Sequence, residues 1–404
     1  MAYKIFFVAY GGGHIGSLLP VIRTMKDDEQ YEVKILALTS AKACLDGLNI
    51  PSVGFKDYFL DRKESVGYGK VLEEDVSGVI DRQESIAYLG MSYRDLILEC
   101  GVRLAKERYD KYGRHCFNPI GSLREIIDME RPDVVVTTSA PRAERAAVIA
   151  ATELNIKSVV LVDLFGTKEV EWLGKPCFGT KICVGSKFTY DLLVESGRSS
   201  REIVMTGNPA FDELVSSNYS SAITKYRFSH ALFGKKVFLW ASQELYSDSA
   251  DSTGERLDLS RAITEKLCEI FSRHPEWVLL YRPHPNQKPI PISSYENVIL
   301  CCQATPLQVA LSVSDAVFVI TSTVGLEAAL LGKPVLTFEG ASVSHLNPYS
   351  RLGIAYPVRS VQEIEAALEH VVSGAFKSDG AGLVSPGGAT KRLIKVINDV
   401  ISVA

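Results

Sequence analysis

Lys4-Ile5-Phe6-Phe7-Val8-Ala9-Tyr10-Gly11-Gly12-Gly13-His14-Ile15-Gly16 decides the fold. Lys4–Ala9 reads as a buried strand, Gly11–Gly16 as a loop, and Ser17 to about Lys26 as an amphipathic helix. The apolar run is short, carries a single Lys and lacks a small-residue cleavage site, so a strand is expected rather than a signal peptide. Working outward, Tyr31–Leu38 is a second strand and Val134–Thr137, after Arg131-Pro132-Asp133, a third. Ala143–Leu154 is an Ala-rich helix, and Ser158–Val162 a further strand. Short strands separated by helices predict a parallel sheet with helical crossovers.

Residues 54–112 break this rhythm, being charged, rich in Tyr and without strand signals. Ser85–Lys111 reads there as a helix, with Ile86, Leu89, Leu96, Ile97 and Leu104 apolar. We expect an inserted helical segment that shapes a substrate cleft. Beyond Thr206-Gly207-Asn208-Pro209 and the polar run Ser216–Ser221 the alternation starts again. Val237–Ala241, Trp277–Tyr281, Val298–Cys301, Ala316–Ile320 and Val335–Phe338 read as strands; Leu259–Ser272, Thr305–Ser312 and Val324–Leu331 read as helices. Val361–Val372 and Ala389–Ile401 close the chain as helices. The expected organisation is a domain over 1–207 and another over 208–404, with the last helix a candidate to return to the first. Both are α/β, two Rossmann-like domains facing across a cleft, with ligands beyond the carboxyl ends of the strands.

The 404 residues are 46% hydrophobic, enough for two sizeable cores. A net charge of -4 and no Arg/Lys-rich run argue against nucleic-acid binding. No apolar stretch reaches the ~18–20 residues that span a bilayer. Eight Cys without a CxxC read as reduced core thiols of a cytoplasmic protein.

Function must then reside in the strand-end loops. Gly12 and Gly13 let backbone approach a ligand, and the helix start favours anionic or polar oxygens. The spacing is not GxGxxG, which disfavours a dinucleotide. His14 enters the cleft there, as a loop cap or as a base on a bound hydroxyl. Arg282-Pro283-His284-Pro285 and Lys288 offer donors to phosphate oxygens, the prolines restricting His284. Thr321, Ser322 and Thr323 precede a helix whose free N–H groups make an anion cradle, although ordinary capping accounts for Ser322 and Thr323 as well. Glu327 could accept bonds from two ribose hydroxyls or merely complement the helix dipole. Ser242 and Gln243 end a strand and could contact phosphate or sugar. Asp163, at another strand end, is either a carboxylate on the acceptor side or a helix cap. Asp248-Ser249-Ala250-Asp251 has the wrong spacing for a metal pair and lies in a stretch read as flexible.

Together these motifs resemble GT-B glycosyltransferases. Gly12-Gly13-His14 with Pro20 is similar to the N-terminal loop of nucleotide-sugar transferases, in several of which the matching His is the base. Thr206-Gly207-Asn208-Pro209-Ala210-Phe211-Asp212 resembles the hinge segment of the UDP-GlcNAc 2-epimerase group. Arg282-Pro283-His284-Pro285, Ser322–Ala328 and Gly332-Lys333-Pro334-Val335 resemble bacterial capsule-polysaccharide transferases, many of which use CMP-sugars. Two epimerase features, a His-Arg-rich segment at Ser242–Leu245 and an N-terminal Arg-Pro-Glu pattern, are absent.

The resemblance implies a cytoplasmic, metal-independent glycosyltransferase of surface polysaccharide or glycoconjugate synthesis. Its donor would be a CMP- or UDP-sugar, a substrate rather than a cofactor. The acceptor would be a saccharide or lipid-linked hydroxyl, compatible with peripheral association at the inner face of the membrane. Nucleotide would bind Arg282, His284, Ser322, Thr323, Glu327, Ser242 and Gln243, with Lys288 and Thr321 assisting at phosphate. His14 or Asp163 would take the proton from an acceptor resting near Gly12 and Gly13. The rival readings are a hydrolysing UDP-sugar epimerase and a non-catalytic sugar-nucleotide-binding subunit.

Overall fold

Two six-stranded parallel sheets organise the computed structural model, which describes residues 2–59, 61–73, 81–216, 219–250, 256–285, 287–340, 347–378 and 382–402. They belong to two compact units, Met1–Asp212 with Pro386–Ala404, and Glu213–Ser385. Each unit is a Rossmann-like domain.

The first sheet is built from β1 (Tyr3–Ala9), β2 (Tyr31–Ala37), β3 (Val134–Thr138), β4 (Lys157–Leu161), β5 (Lys181–Val184) and β6 (Ile203–Met205), in the order β2-β1-β3-β4-β5-β6. Side chains alternate across a strand, so β1 serves two cores. Ile5, Phe7 and Ala9 pack with Leu393 and Ile397 of the last helix. Phe6 and Val8 pack on the opposite face with Leu123 and Ala147. All five β1 side chains are fully buried, which explains an apolar run where a half-exposed strand would alternate. Val53 pairs with Leu36 as an isolated parallel bridge on the outer side of β2. The inserted segment starts directly after it.

Two sequence expectations are corrected here. The glycine loop is the start of a helix, which runs Gly12–Lys26 with Gly11 as its extended cap. Three glycines cost a helix roughly 1 kcal/mol each. Ile15, Leu18, Val21, Ile22 and Met25, all fully buried against the sheet, contribute about 1.5–3 kcal/mol apiece and prevail. The helix read over Ser85–Lys111 is two helices, Arg82–Cys100 and Val102–Tyr112. Gly101, at φ 79, turns the chain between them, and Leu104 is partly exposed.

Pro386–Ala404 returns to the first unit through Asp212. Its carboxylate accepts from the N–H groups of Gly387 (2.9 Å), Ala389 (3.0 Å) and Thr390 (2.8 Å), and from the Thr390 hydroxyl (2.8 Å). These are the orphan donors at the start of the helix Ala389–Ser402. Burial disfavours the Asp212 charge, but the four bonds outweigh it and hold the carboxyl below the usual range. Asp212→Ala should cost about 2 kcal/mol at neutral pH, the upper end for a lost cap. Amide exchange over residues 387–402 should then accelerate at least tenfold. Because the folded pKa is depressed, this stabilisation is present above the ordinary Asp pKa and fades as pH falls through the depressed value, so mutant and parent should converge in acid.

In the second unit β7 (Lys236–Ala241), β10 (Trp277–Arg282), β11 (Val298–Leu300), β12 (Ala316–Val319), β13 (Val335–Phe338) and β14 (Tyr356–Val358) follow the order β11-β10-β7-β12-β13-β14. The stretch read as flexible instead forms a hairpin, β8 (Tyr246–Ala250) antiparallel to β9 (Arg256–Asp258), with Asp251 outside the described residues. All eight cysteines are unpaired; Cys183, Cys268 and Cys301 are core thiols, whereas Cys177 and Cys302 are exposed. Among the described residues no helix is long and apolar enough to cross a membrane.

Candidate functional site

Strand order reverses between β1 and β3 in the first unit, and between β7 and β12 in the second. At such a point the flanking loops diverge and leave a crevice beyond the carboxyl ends. His14 follows β1, Thr138 ends β3 and Ser139 comes next, so the first crevice holds the residue singled out from sequence.

His14 Nδ1 lies 3.2 Å from Asp163 Oδ2 and 3.0 Å from the Thr138 hydroxyl. Ser139 donates to Asp163 Oδ1 at 3.2 Å. Asn208, from the segment after β6, donates to the Asp163 carbonyl (3.1 Å) and to the Ser17 hydroxyl (3.2 Å). Asp163 is therefore an ion-pair partner rather than a helix cap. Burial opposes charge on His14, but the hydrogen bond to Asp163 and the carboxylates of Glu144, Asp163 and Glu169 outweigh it, raising its pKa to about 9. Burial likewise pushes Asp163 up, and the His14 partnership more than reverses this. Nε2, across the ring, has no hydrogen-bond partner among the described residues and is the nitrogen available to a ligand.

The glycines frame this ring. A Cβ at Gly11 would stand 3.1 Å from His14 Cδ2, so a side chain there would press on the imidazole. The Gly12 N–H is taken by the Ser40 hydroxyl at 3.0 Å, which corrects the picture of an open cradle at the helix start. Gly13 is exposed with open space before it. Arg142 (φ 69) and Thr39 (φ 50) hold left-handed backbone beside the crevice, a cost of about 1–3 kcal/mol each that concentrates at functional loops.

In the second unit the two loops at the reversal are tied together. Gln243 donates to the Thr321 hydroxyl at 2.7 Å. Ser322 caps the Thr323–Leu330 helix, accepting from Val324 N at 3.3 Å, so the capping role is realised. Tyr349 donates to the Ser322 carbonyl at 2.9 Å, and Asn347 to the Thr321 carbonyl. Thr323 is exposed on the first turn. Glu327 is largely desolvated, and burial pushes its pKa up to about 7 against the pull of Arg282.

Two residues have places different from those expected. Ser242 is buried, its hydroxyl bonded to Ser260 (2.8 Å) and Gln287 (2.9 Å), so that hydroxyl braces the loop after β10. Arg282 donates to the carbonyls of Cys302 (3.2 Å) and Thr305 (2.9 Å) and to Gln303 (3.2 Å), so it anchors the turn after β11 and acts on Glu327 by its charge. His284 and Lys288 stand exposed on that loop.

Sequence reasoning missed Thr138, Ser139 and Glu144. The first two had a signal, a strand end followed by Ala140-Pro141. Glu144 looked like an ordinary charge in the first turn of an Ala-rich helix.

The sequence model of the capsule polysaccharide biosynthesis protein family matches residues 259–354, which contain the loops from Arg282 to Lys288 and from Thr321 to Glu327. No curated protein matches the chain in sequence. Among solved structures, MnaA of S. aureus, determined with UDP, superposes with a TM-score of 0.65 at 15% identity, covering 100% of this chain and 98% of that one. UDP-GlcNAc 2-epimerase from Neisseria meningitidis, bound to UDP-GlcNAc, gives 0.61 at 16% identity, covering 99% and 100%. The Methanocaldococcus jannaschii enzyme, in complex with UDP-GlcNAc and UDP, gives 0.58 at 13%, with the same coverage. Identities this low establish the fold alone: the chain has the GT-B architecture of two Rossmann-like domains, and part of its second domain is similar to capsule polysaccharide biosynthesis proteins.

Proposed function

We propose that the chain is a glycosyltransferase that moves a sugar from a CMP- or UDP-activated donor to a hydroxyl acceptor in surface polysaccharide or glycoconjugate synthesis. The observation that carries this reading is the capsule-family match over 259–354, which falls on the loops at the carboxyl ends of β10 and β12. The nucleotide is held by the second unit, its phosphate at the Ser322–Thr323 helix start with His284 and Lys288, and its ribose at Glu327. The acceptor hydroxyl is activated in the first unit. Its oxygen bonds to the anomeric carbon, the bond from that carbon to the phosphate oxygen breaks, and the hydroxyl proton passes to Nε2 of neutral His14. Asp163 stabilises the imidazolium so formed. Negative charge leaves on the nucleotide, which fixed donors stabilise without a metal.

The test is a thermal-shift screen of the full chain against UDP, CMP, CDP, GDP and dTDP. A nucleotide present at ~100 times its Kd stabilises by about 2.7 kcal/mol, a rise of roughly 5–10 °C in the melting of the domain that binds it. No shift with any of the five overturns the proposal. With the matching sugar nucleotide, transfer should survive EDTA; loss reversed by manganese overturns the metal-independent mechanism. Without acceptor, release of nucleotide with an epimerised sugar would replace transfer by epimerisation.

A further inference from the structure

The first crevice contains a second carboxylate that the transfer step does not use. Glu144, on the helix Ala143–Glu153, is fully buried. One oxygen accepts from Tyr10 N at 2.8 Å. The other accepts from Thr138 N at 2.8 Å and from the Thr138 hydroxyl. An isolated buried carboxylate is costly, and burial does raise the Glu144 pKa, yet three donors are directed at it. The Thr138 hydroxyl has one hydrogen. Given to Glu144, it leaves the Thr138 oxygen as an acceptor 3.0 Å from His14 Nδ1. The hydrogen on Nδ1 then faces two acceptors, Asp163 directly and Thr138 backed by Glu144.

We propose that Glu144 is a positioning residue for His14: acting through Thr138, it keeps the imidazole hydrogen on Nδ1 and reserves Nε2 for proton exchange with substrate. This rests on the reading of His14 as the proton acceptor. An ionised carboxylate at the end of the chain can only accept, which fixes the direction of both hydrogen bonds. The groups around the ring agree. Asp163 and Glu169 act on His14 from the segment after β4. Arg142, two residues before Glu144 at the start of its helix, lies with its guanidinium 4.5 Å over the Tyr10 ring and donates to the Tyr10 hydroxyl at 3.3 Å. Tyr88 packs against the Tyr10 ring, tilted, with the centroids 5.6 Å apart.

The test is 15N and 13C NMR of histidine-labelled full-length protein, with the His14 signals assigned by their loss in His14→Gln. Glu144→Gln and Thr138→Val should each lower the His14 titration midpoint by about one unit, making the neutral ring roughly tenfold more abundant at pH 7. The neutral form should become a mixture of Nδ1–H and Nε2–H tautomers. Thr138→Ser, which keeps the hydroxyl, should restore midpoint and tautomer. An unchanged midpoint and tautomer in folded Thr138→Val overturns the proposal, and this variant carries the test if Glu144→Gln does not fold. The readout needs no turnover, so a protein without transferase activity still answers it, and failure of the glycosyltransferase reading is seen separately in the nucleotide screen.

Discussion

His14→Ala should lower kcat/KM by about 10²–10⁴-fold at pH 9, the usual contribution of a positioned base, and by far less at pH 7. The difference follows from electrostatics. His14 is surrounded by Asp163, Glu144 and Glu169, which together overcome burial and raise its pKa to about 9. At pH 7 only about one ring in a hundred is neutral and able to accept a proton. The activity of the parent protein should therefore climb about tenfold per pH unit from pH 7 and level off near 9. Asp163→Asn removes the direct ion-pair partner, so the midpoint should fall while the plateau drops. An activity flat between pH 6 and 10, or His14→Ala equal to the parent at pH 9, would remove His14 from the proton transfer. Stability carries the same signature with opposite sign. The folded pKa is raised from 6.5 to about 9, so the ion pair stabilises fully below pH 6.5 and this contribution is lost as pH rises through about 9.

Glu327→Gln should weaken nucleotide binding about 10–100-fold at pH 8, the range for charge-assisted hydrogen bonds to two hydroxyls. Burial raises the Glu327 pKa to about 7, so its charge changes within the working range. Only the carboxylate can accept from both ribose hydroxyls. Between pH 8 and pH 6 its ionised fraction falls from about nine-tenths to one-tenth, and the parent should lose roughly tenfold in affinity. Calorimetric titration of the nucleotide that passes the thermal screen measures this directly. Glu327→Gln should abolish the pH dependence, and a 2′-deoxy nucleotide, which keeps one of the two hydroxyls, should narrow the difference between parent and variant. Equal affinity of the variant for the ribonucleotide at pH 8 would reduce Glu327 to a helix-dipole partner.

Five of the six strands of the second sheet and four of the six of the first were legible because both faces of a crossover sheet are covered, which leaves continuous apolar runs such as Ile5–Ala9 and Val237–Ala241. Residues in short strand-end loops, His14, Asp163, Ser322 and Glu327, could be named from their positions after such runs. The hairpin of Tyr246–Ala250 and Arg256–Asp258 was not legible, since its strands are short and polar. Nor was the break at Gly101, because a helix pattern continues on both sides of a glycine whose positive φ depends on how the two helices pack.

The sequence by itself determined the alternating α/β order, the strand-end addresses of the candidate residues and the lack of a charge suited to nucleic acid. These are local matters, set by side-chain periodicity and composition. Tertiary structure alone decided which candidates act together. It made Asp163 the partner of His14 across 148 intervening positions. It diverted Ser242 and Arg282 to bracing loops, brought Glu144 to His14 through Thr138, and set the pKa values on which the mechanism turns. Burial and the charge of distant neighbours govern these outcomes, and neither is a property of any segment read alone.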